Sequence, residues 1–279
     1  IYTMEETLEL KEFSPKTKKV YLSIIKRLQK LKFKMPMTKN ERLTYIKEFF
    51  AEHGLTKAST RLDLLNLIIV LRTIKELPTI KLKEYRSDLS KERLVNQVGK
   101  MNSLKEDLMT LPEFNSQLMK AFEDGHFAKF IVGYMMSQYG VRNADCNVII
   151  VKSKKDATDP DKNYLILSKG KVTWIRNNYK TRKTFGVQTH EITDSEFVKA
   201  VKKQGVGPLF AEGQLSNAIR KLLIGGMTES KVFKMLIDDA YDKKDTVRIN
   251  ELSKSRGTSI ATIRGFYNIN AEHEIITEL

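Results

Sequence analysis

Residues 257–267 read Gly-Thr-Ser-Ile-Ala-Thr-Ile-Arg-Gly-Phe-Tyr. A glycine followed by two hydroxyl residues predicts a tight turn and the start of a short helix. The helix brings Tyr267 to a position 10 residues after Gly257. The chain has 10 tyrosines, so Tyr267 by itself predicts no more than packing. Whether Tyr267 has a chemical role therefore has to be predicted together with the motifs that precede it.

A capped helix comes before this stretch. Thr228 is the predicted N-cap, and Lys231 and Lys234 share one face three residues apart. Two lysines on one face repel each other unless an anion lies between them. The pair therefore predicts either a phosphate site or two solvent-facing lysines. Another face forms the predicted buried stripe, which holds Phe233, Leu236, Ile237 and Ala240.

Two further cationic motifs lie upstream. Arg142 follows an apolar helix that is predicted to end at Gly140, and the carboxylate of Asp145 lies three residues on, where it could orient the arginine. An arginine at this place also complements a helix dipole, which is the simpler interpretation. Lys180 and Lys183 lie in a polar turn between two predicted strands. Such a turn is either a solvated charge run or a cationic loop that reaches a phosphate.

Charge and composition narrow the class of protein. The 279 residues carry 49 Lys and Arg against 34 Asp and Glu, a net charge of +15. Residues 1–100 hold 22 basic and 12 acidic side chains, which indicates a polyanionic partner. Apolar stretches such as residues 67–71 are far shorter than the roughly 20 residues of a membrane span, which predicts an intracellular protein. Cys146 is the sole cysteine and excludes an internal disulfide framework and a thiolate-rich metal site.

The order of the predicted elements indicates two domains and the α+β fold class. Residues 1–100 predict a helical bundle with a basic exterior. Residues 101–279 predict helices, a small antiparallel sheet and helices again, with the boundary in the polar residues 99–111. The predicted helices include residues 40–53, 83–100 and 214–224. The predicted strands are residues 147–151, 163–167, 172–176 and 184–189.

The combined motifs resemble those of the tyrosine recombinases, the phage-integrase family. The resemblance rests on an arginine after Tyr-Gly-Val, a hairpin lysine, two charged residues three apart on a helix, and Gly-Thr-Ser followed by Tyr267. It implies a helical core-binding domain over 1–100 and a mainly helical catalytic domain over 101–279. It also implies a homotetramer on double-stranded DNA, and site-specific cleavage and rejoining through a 3′-phosphotyrosine without a metal ion or cofactor.

The resemblance implies a catalytic role for six residues. Arg142 matches the first catalytic arginine, Asp145 the acidic residue that follows it, and Tyr267 the nucleophile. Lys180 matches the hairpin lysine that donates a proton to the departing 5′ oxygen, and Lys183, in the same turn, is the alternative if the hairpin has another register.

The other three positions depart from the family pattern. Lys231 lies where the family usually has histidine, and type IB topoisomerases, which share the catalytic fold, carry lysine there. Lys234 lies at the second arginine, and it keeps the charge without the planar fork. Thr258 lies where the family has histidine or tryptophan, and its hydroxyl still donates one hydrogen bond.

DNA contacts are predicted on the first basic helix and the hairpin turn. The Ser14-Pro15 pair predicts the start of that helix. The predicted DNA-binding residues are Lys18, Lys19, Lys26, Arg27, Lys30 and Lys183. Most of their contacts are expected to be with phosphates, which position the protein without specifying a sequence.

Several alternatives stay open from sequence. The chain is either an active recombinase or a DNA-binding protein whose catalysis has decayed at Lys234 and Thr258. A monomeric topoisomerase fits less well, because the front domain is predicted to be all helical. A metal-dependent nuclease fits least, since no carboxylates show clear spacing for paired Mg²⁺. The 12 residues after Tyr267 either dock on a neighbouring subunit or fold on their own domain.

Overall fold

The structure is a computed structural model that describes residues 3–105, 108–211 and 224–268. The chain separates into two compact units, divided between Gly99 and Lys100. Each unit encloses its own hydrophobic core. Among the described residues, no helix combines the length and the apolar character needed to cross a membrane.

The described residues form twelve α-helices and five strands. The helices are α1 (Met4–Glu9), α2 (Pro15–Lys30), α3 (Leu43–Glu52), α4 (Ala58–Ile74), α5 (Ile80–Lys105), α6 (Leu111–Glu123), α7 (Phe127–Tyr139), α8 (Arg182–Phe185), α9 (Ser195–Gln204), α10 (Glu229–Asp242), α11 (Thr246–Arg256) and α12 (Ile260–Phe266). The strands are β1 (Val148–Val151), β2 (Asn163–Ser168), β3 (Lys171–Arg176), β4 (Gln188–Ile192) and β5 (Gly207–Pro208). Together they confirm the α+β fold class, with helices around one small sheet.

The first unit is a helical bundle built from α1 to α5. Ser14 caps α2, since its Oγ accepts a hydrogen bond from the amide of Thr17 at 3.3 Å, and Pro15 is the first helical residue. This start turns the apolar stripe of α2 inward and leaves most of its lysines outside. The fully buried apolar side chains include Leu8, Ile25, Leu28, Ile46, Leu65, Leu67, Ile68, Leu71 and Leu82.

Arg72 is a buried cation that fixes the chain at the end of α4. Its guanidinium donates to the backbone carbonyls of Pro36, Thr38 at 3.1 Å and Pro78 at 3.0 Å. Burial lowers the pKa of Arg72, and the nearby Glu41 opposes this shift. The three carbonyls replace the water that the guanidinium loses on burial.

The sheet of the second unit is mixed, with the strand order β4-β3-β2-β1-β5. Three of its four strand pairs are antiparallel, as predicted. The expectation of a fully antiparallel sheet is wrong for β1 and β2, which run parallel. Residues 152–162 are long enough to return the chain to the same end of the sheet, which a parallel pair requires.

Other element bounds differ from the sequence predictions. The predicted strand over 184–189 is wrong in its first half, because α8 continues to Phe185 and β4 begins at Gln188. The helix predicted over 83–100 is longer at both ends in α5, and the helix predicted from residue 40 begins at Leu43. Most of the helix predicted over 214–224 lies outside the described residues.

His190 on β4 lies directly opposite Trp174 on β3. The ring centroids of His190 and Trp174 are 5.3 Å apart, and Tyr139 lies 4.8 Å from His190. The Nε2 atom of His190 is buried and has no hydrogen-bond partner among the described residues. Burial and the nearby Arg176 lower the pKa of His190 from 6.5 to about 4. The folded state therefore disfavours protonation of this ring.

This shift predicts an acid-sensitive step in the stability of the second unit. Between pH 6.5 and about 4 the unfolded chain binds a proton that folded His190 does not, so stability falls as the pH is lowered through this window. We expect the free energy of unfolding of His190→Phe to fall by about 1–2 kcal/mol less than that of the wild type over this pH range. Urea unfolding followed by the fluorescence of Trp174, the sole tryptophan, measures it. Equal pH dependence in both proteins would contradict the assignment.

Candidate active site

Arg142 is fixed just after the C-terminal end of α7. Gly140 ends this helix at φ 61°, and a Cβ atom there would lie 2.9 Å from the ring of Phe233, so the position needs glycine. The amide of Arg142 donates to Oδ2 of Asp145 at 3.0 Å. Its guanidinium donates through Nη1 to the backbone carbonyl of Arg256. Asp145 therefore holds the backbone at Arg142, while a carbonyl of α11 holds the side chain.

Asp145 is also half of a buried ion pair that the sequence motifs did not reveal. The side chains of Asp145 and Arg176 are fully buried, with Nη2 of the arginine 2.8 Å from Oδ2. Arg176 also donates to the carbonyl of Ser255 at 3.0 Å and to Oε1 of Gln188 at 2.5 Å. Burial raises the pKa of Asp145, and the neighbouring Arg176 opposes the shift. Strand alternation could have revealed Arg176, because it shares the inward face of β3 with Trp174.

Arg256 is a second buried arginine that the sequence motifs passed over, although it precedes Gly257. Its side chain is 3% exposed, and Nη2 lies 2.7 Å from Oε1 of Glu229. Nη1 donates to the carbonyls of Gly140 at 3.1 Å and Val141 at 3.3 Å. The other oxygen of Glu229 accepts from the amide of Asn143 at 2.8 Å. Arg256 thus joins the end of α7 to the first residue of α10.

Tyr267 follows α12 and belongs to the same cluster. Its ring packs edge-on against Phe233, with the centroids 4.7 Å apart. The guanidinium carbon of Arg256 lies 4.1 Å from the Phe233 ring and 5.3 Å from the Tyr267 ring. Burial and Arg256 lower the pKa of Arg142, whereas Asp145, Glu229 and Tyr267 raise it. The structure thus brings the predicted nucleophile and the first predicted arginine into one electrostatic environment.

Lys234 lies on α10 directly after Phe233. Its side chain is buried, at 7% exposure, and burial lowers its pKa. The ammonium makes no hydrogen bond or ion pair with any residue that the structure describes. Lys231, three residues earlier, is half-buried, and its amide donates to the N-cap Thr228 at 3.3 Å. A lysine whose side chain is largely buried, and whose ammonium has no carboxylate partner among the described residues, favours an anionic ligand.

The hairpin turn lies against the Gly257 segment. Gly257 has φ 61°, and a Cβ atom there would lie 1.9 Å from Oγ1 of Thr181. The close contact places the turn beside Thr258, which is half-buried. Lys180 and Lys183 are exposed on either side of Thr181, so neither is buried in the arginine cluster. Glycine at 257 is therefore needed both for its backbone conformation and for this approach.

The cluster carries more positive than negative charge among the described residues. No group of three or more His, Cys, Asp or Glu side chains among them is arranged to hold a metal ion. The three arginines of the cluster, Arg142, Arg176 and Arg256, and its two carboxylates, Asp145 and Glu229, give it a net charge of +1, which suits an anion such as a phosphate.

The basic residues of α2 form an exposed face on the first unit. Lys19, Lys26, Arg27 and Lys30 are exposed, and helical geometry places them within about 100° of the circumference. The helix contains no Asp or Glu. Lys18 differs, because it is half-buried and its Nζ lies 2.6 Å from a carboxylate oxygen of Glu9.

Among known proteins, the chain is similar only to solved structures. No family model matches the chain, and no curated protein matches it. Solved structures similar to it include the crystal structure of XerA recombinase. That protein is 14% identical over 99% of this chain and 94% of its own, with a TM-score of 0.36.

The unpaired Lys234 predicts an anion-dependent gain in stability. An anion that binds only the folded state stabilises it, by about 1.4 kcal/mol at ten times its Kd. We therefore expect sulfate to raise the Tm of the second unit above that in sodium chloride of equal ionic strength. Lys234→Met should remove most of this rise, and in chloride alone it should keep or raise the Tm, because it replaces an unpaired lysine on a largely buried position with an apolar side chain.

Thermal unfolding followed by Trp174 fluorescence measures both effects. Lys202→Met is the matched control, because Lys202 is an exposed lysine of the same unit. The control should keep the full sulfate effect. Equal sulfate effects in the wild type and in Lys234→Met would show that the anion does not bind at Lys234.

Proposed function

We propose that the chain is a site-specific DNA recombinase or integrase that cuts and rejoins DNA through a covalent bond to Tyr267. One observation carries the proposal, namely the position of the Tyr267 ring 5.3 Å from the guanidinium carbon of Arg256, the residue whose backbone carbonyl accepts a hydrogen bond from Arg142. A tyrosine hydroxyl next to fixed cations suits attack on a phosphodiester, because the transition state gains negative charge on the non-bridging oxygens.

The proposed reaction conserves phosphate ester bonds. Oη of Tyr267 attacks the phosphorus and loses its proton, and the bond from phosphorus to the 5′ oxygen breaks. The 5′ oxygen takes up a proton, and the 3′ phosphate remains bound to the tyrosine. Attack by a 5′ hydroxyl on this phosphotyrosine reverses the step and joins two strands. Because one ester replaces another, neither an external energy source nor a metal ion is required by this mechanism.

Each predicted site residue has a role in this proposal. Arg142 and Lys234 bind the non-bridging oxygens, and Lys180 donates the proton to the 5′ oxygen. Lys231 and Thr258 assist through hydrogen bonds. The close approach of Thr181 to Gly257 holds the hairpin turn beside the site. Lys180, the residue before Thr181, is exposed, so its ammonium is free to reach a bound DNA strand.

DNA holding is proposed for both units. Residues 1–100 act as a core-binding domain through the α2 face, and residues 101–279 act as the catalytic domain. Lys183 extends the contact from the hairpin turn, where it is exposed. A homotetramer joined through the residues after Tyr267 remains part of the proposal, and residues 269–279 lie outside the described residues.

A DNA-binding protein without catalysis is the second candidate. It is favoured by the side chains at two positions, because Lys234 lacks a guanidinium fork and Thr258 lacks an imidazole or indole. Loss of one transition-state donor costs about 10²- to 10³-fold in rate. Nη1 of Arg142 also donates to the carbonyl of Arg256, so fewer N–H groups of its guanidinium are available to a phosphate.

Covalent capture separates the two candidates. We expect the wild type, incubated with nicked duplexes from its own genetic neighbourhood, to form a protein–DNA adduct that survives denaturing electrophoresis. Tyr267→Phe should form none, because it lacks the attacking hydroxyl. Tyr241→Phe is the matched control, since Tyr241 is a half-buried tyrosine of α10, and it should form the adduct. An adduct that persists in Tyr267→Phe would sink the assignment of the nucleophile.

The α2 face predicts a measurable salt dependence of DNA binding. Each phosphate contact contributes about 0.9 to the slope of log K against log salt. Replacement of Lys19, Lys26 and Lys30 by Gln should therefore lower duplex affinity and reduce this slope by about 2–3. Lys18→Gln is the control and should change the slope by less than about 1, because Glu9 already pairs with that ammonium. An unchanged slope in the triple variant would rule out this face.

A further inference from the structure

Two helix ends in the second unit are joined by a reciprocal exchange of arginine donors. Arg142, just after α7, donates to the carbonyl of Arg256 at the end of α11. Arg256 donates back to the carbonyls of Gly140 and Val141 at the end of α7. Carbonyls at a helix C-terminus lack intrahelical partners and carry partial negative charge, so cations suit both ends. Each arginine therefore satisfies the helix end from which the other extends.

The guanidinium of Arg256 makes a second kind of contact. Its carbon lies over the rings of Phe233 and Tyr267, while its terminal nitrogens bond Glu229 and the two carbonyls. A guanidinium can donate in its plane and stack on aromatic rings at the same time, which a lysine cannot do. One side chain thus contacts the segment that holds Arg142 and the ring of Tyr267.

The two terminal nitrogens of Arg256 are already engaged. Nη1 and Nη2 both donate to protein oxygens, and Nε is buried without a partner among the described residues. A phosphate at the site would therefore meet Arg142 and Lys234 rather than Arg256. The repulsion between the two guanidinium groups, which helps to lower the pKa of Arg142, is offset by Glu229.

We propose that Arg256 is a positioning residue that sets the guanidinium of Arg142 and the ring of Tyr267 in register for one phosphate. The proposal rests on the proposed function for the identity of the anion. It goes beyond that function because Arg256 is not one of the predicted catalytic residues, yet it sets the positions of two of them, Arg142 and Tyr267. Loss of Arg256 should leave the fold intact when its counter-charge is removed with it, and should loosen the anion site.

The test compares Glu229→Gln with the double variant Glu229→Gln/Arg256→Met. The amide oxygen that Glu229→Gln introduces can still accept from the amide of Asn143, so the two proteins differ only in the side chain at 256. The pair also avoids a buried unpaired carboxylate, which would unfold the protein for a trivial reason. Two quantities are measured in each, namely the sulfate-dependent rise in Tm and the rate of covalent adduct formation on DNA.

We expect the double variant to bind sulfate at least tenfold more weakly than Glu229→Gln and to form the adduct at least tenfold more slowly. A purely structural role would lower the Tm in chloride and leave the sulfate affinity unchanged. Equal sulfate affinity in the two proteins overturns the proposal, whatever the rate of cleavage. Arg256→Lys is measured alongside in case the double variant does not fold, and wild-type sulfate affinity in Arg256→Lys would equally overturn it.

The sulfate measurement keeps the two proposals separable. If the wild type forms no adduct with DNA, the proposed strand transfer fails, and the comparison of sulfate affinities still tests Arg256. If the adduct forms and the sulfate affinities are equal, the proposed function stands and the positioning role is wrong.

Discussion

The geometry of the site depends on the bonding between Arg142 and Arg256 across the ends of α7 and α11. Without it, Arg142 would be an ordinary arginine after a helix, free to turn to water. With it, the guanidinium lies in the same cluster as Phe233, Glu229 and the ring of Tyr267. The contact joins parts of the chain more than a hundred residues apart. It is therefore a product of the tertiary fold, and it determines which charged groups can meet a ligand.

The bonding between Arg142 and Arg256 brings positive charges close together, so the site also needs a balance of charge. Bringing arginines together in a protein interior is unfavourable unless carboxylates or a bound anion compensate them. Asp145 neutralises Arg176 and Glu229 neutralises Arg256, with each pair fixed by close contacts. Arg142 and Lys234 are left without a carboxylate of their own among the described residues. These are the two cations to which the proposed function assigns the phosphate.

The sequence predicted the fold class and the more regular helices well. The stripe on α4 and the Ser14-Pro15 start of α2 are local signals, and local hydrogen bonds and burial produce what they predict. The parallel pairing of β1 and β2 was missed, because strand direction depends on the path of the connection and not on residue type. Arg176 and Arg256 were missed for a related reason. The alternation of β3 places Arg176 on the inward face, but no linear motif identifies its partner Asp145, or the pairing of Arg256 with Glu229, until the fold brings them together.

The proposed function requires one anion to bind Arg142, Lys234 and Tyr267 together. A crystal of the protein soaked with tungstate, a phosphate-like anion that scatters anomalously, shows whether it does. We expect an anomalous peak within about 3–4 Å of the Arg142 guanidinium, the Lys234 ammonium and the Tyr267 hydroxyl, at hydrogen-bond distance allowing for the radius of the anion. An anion found only on the surface lysines, with Lys234 directed away from Tyr267, would contradict it.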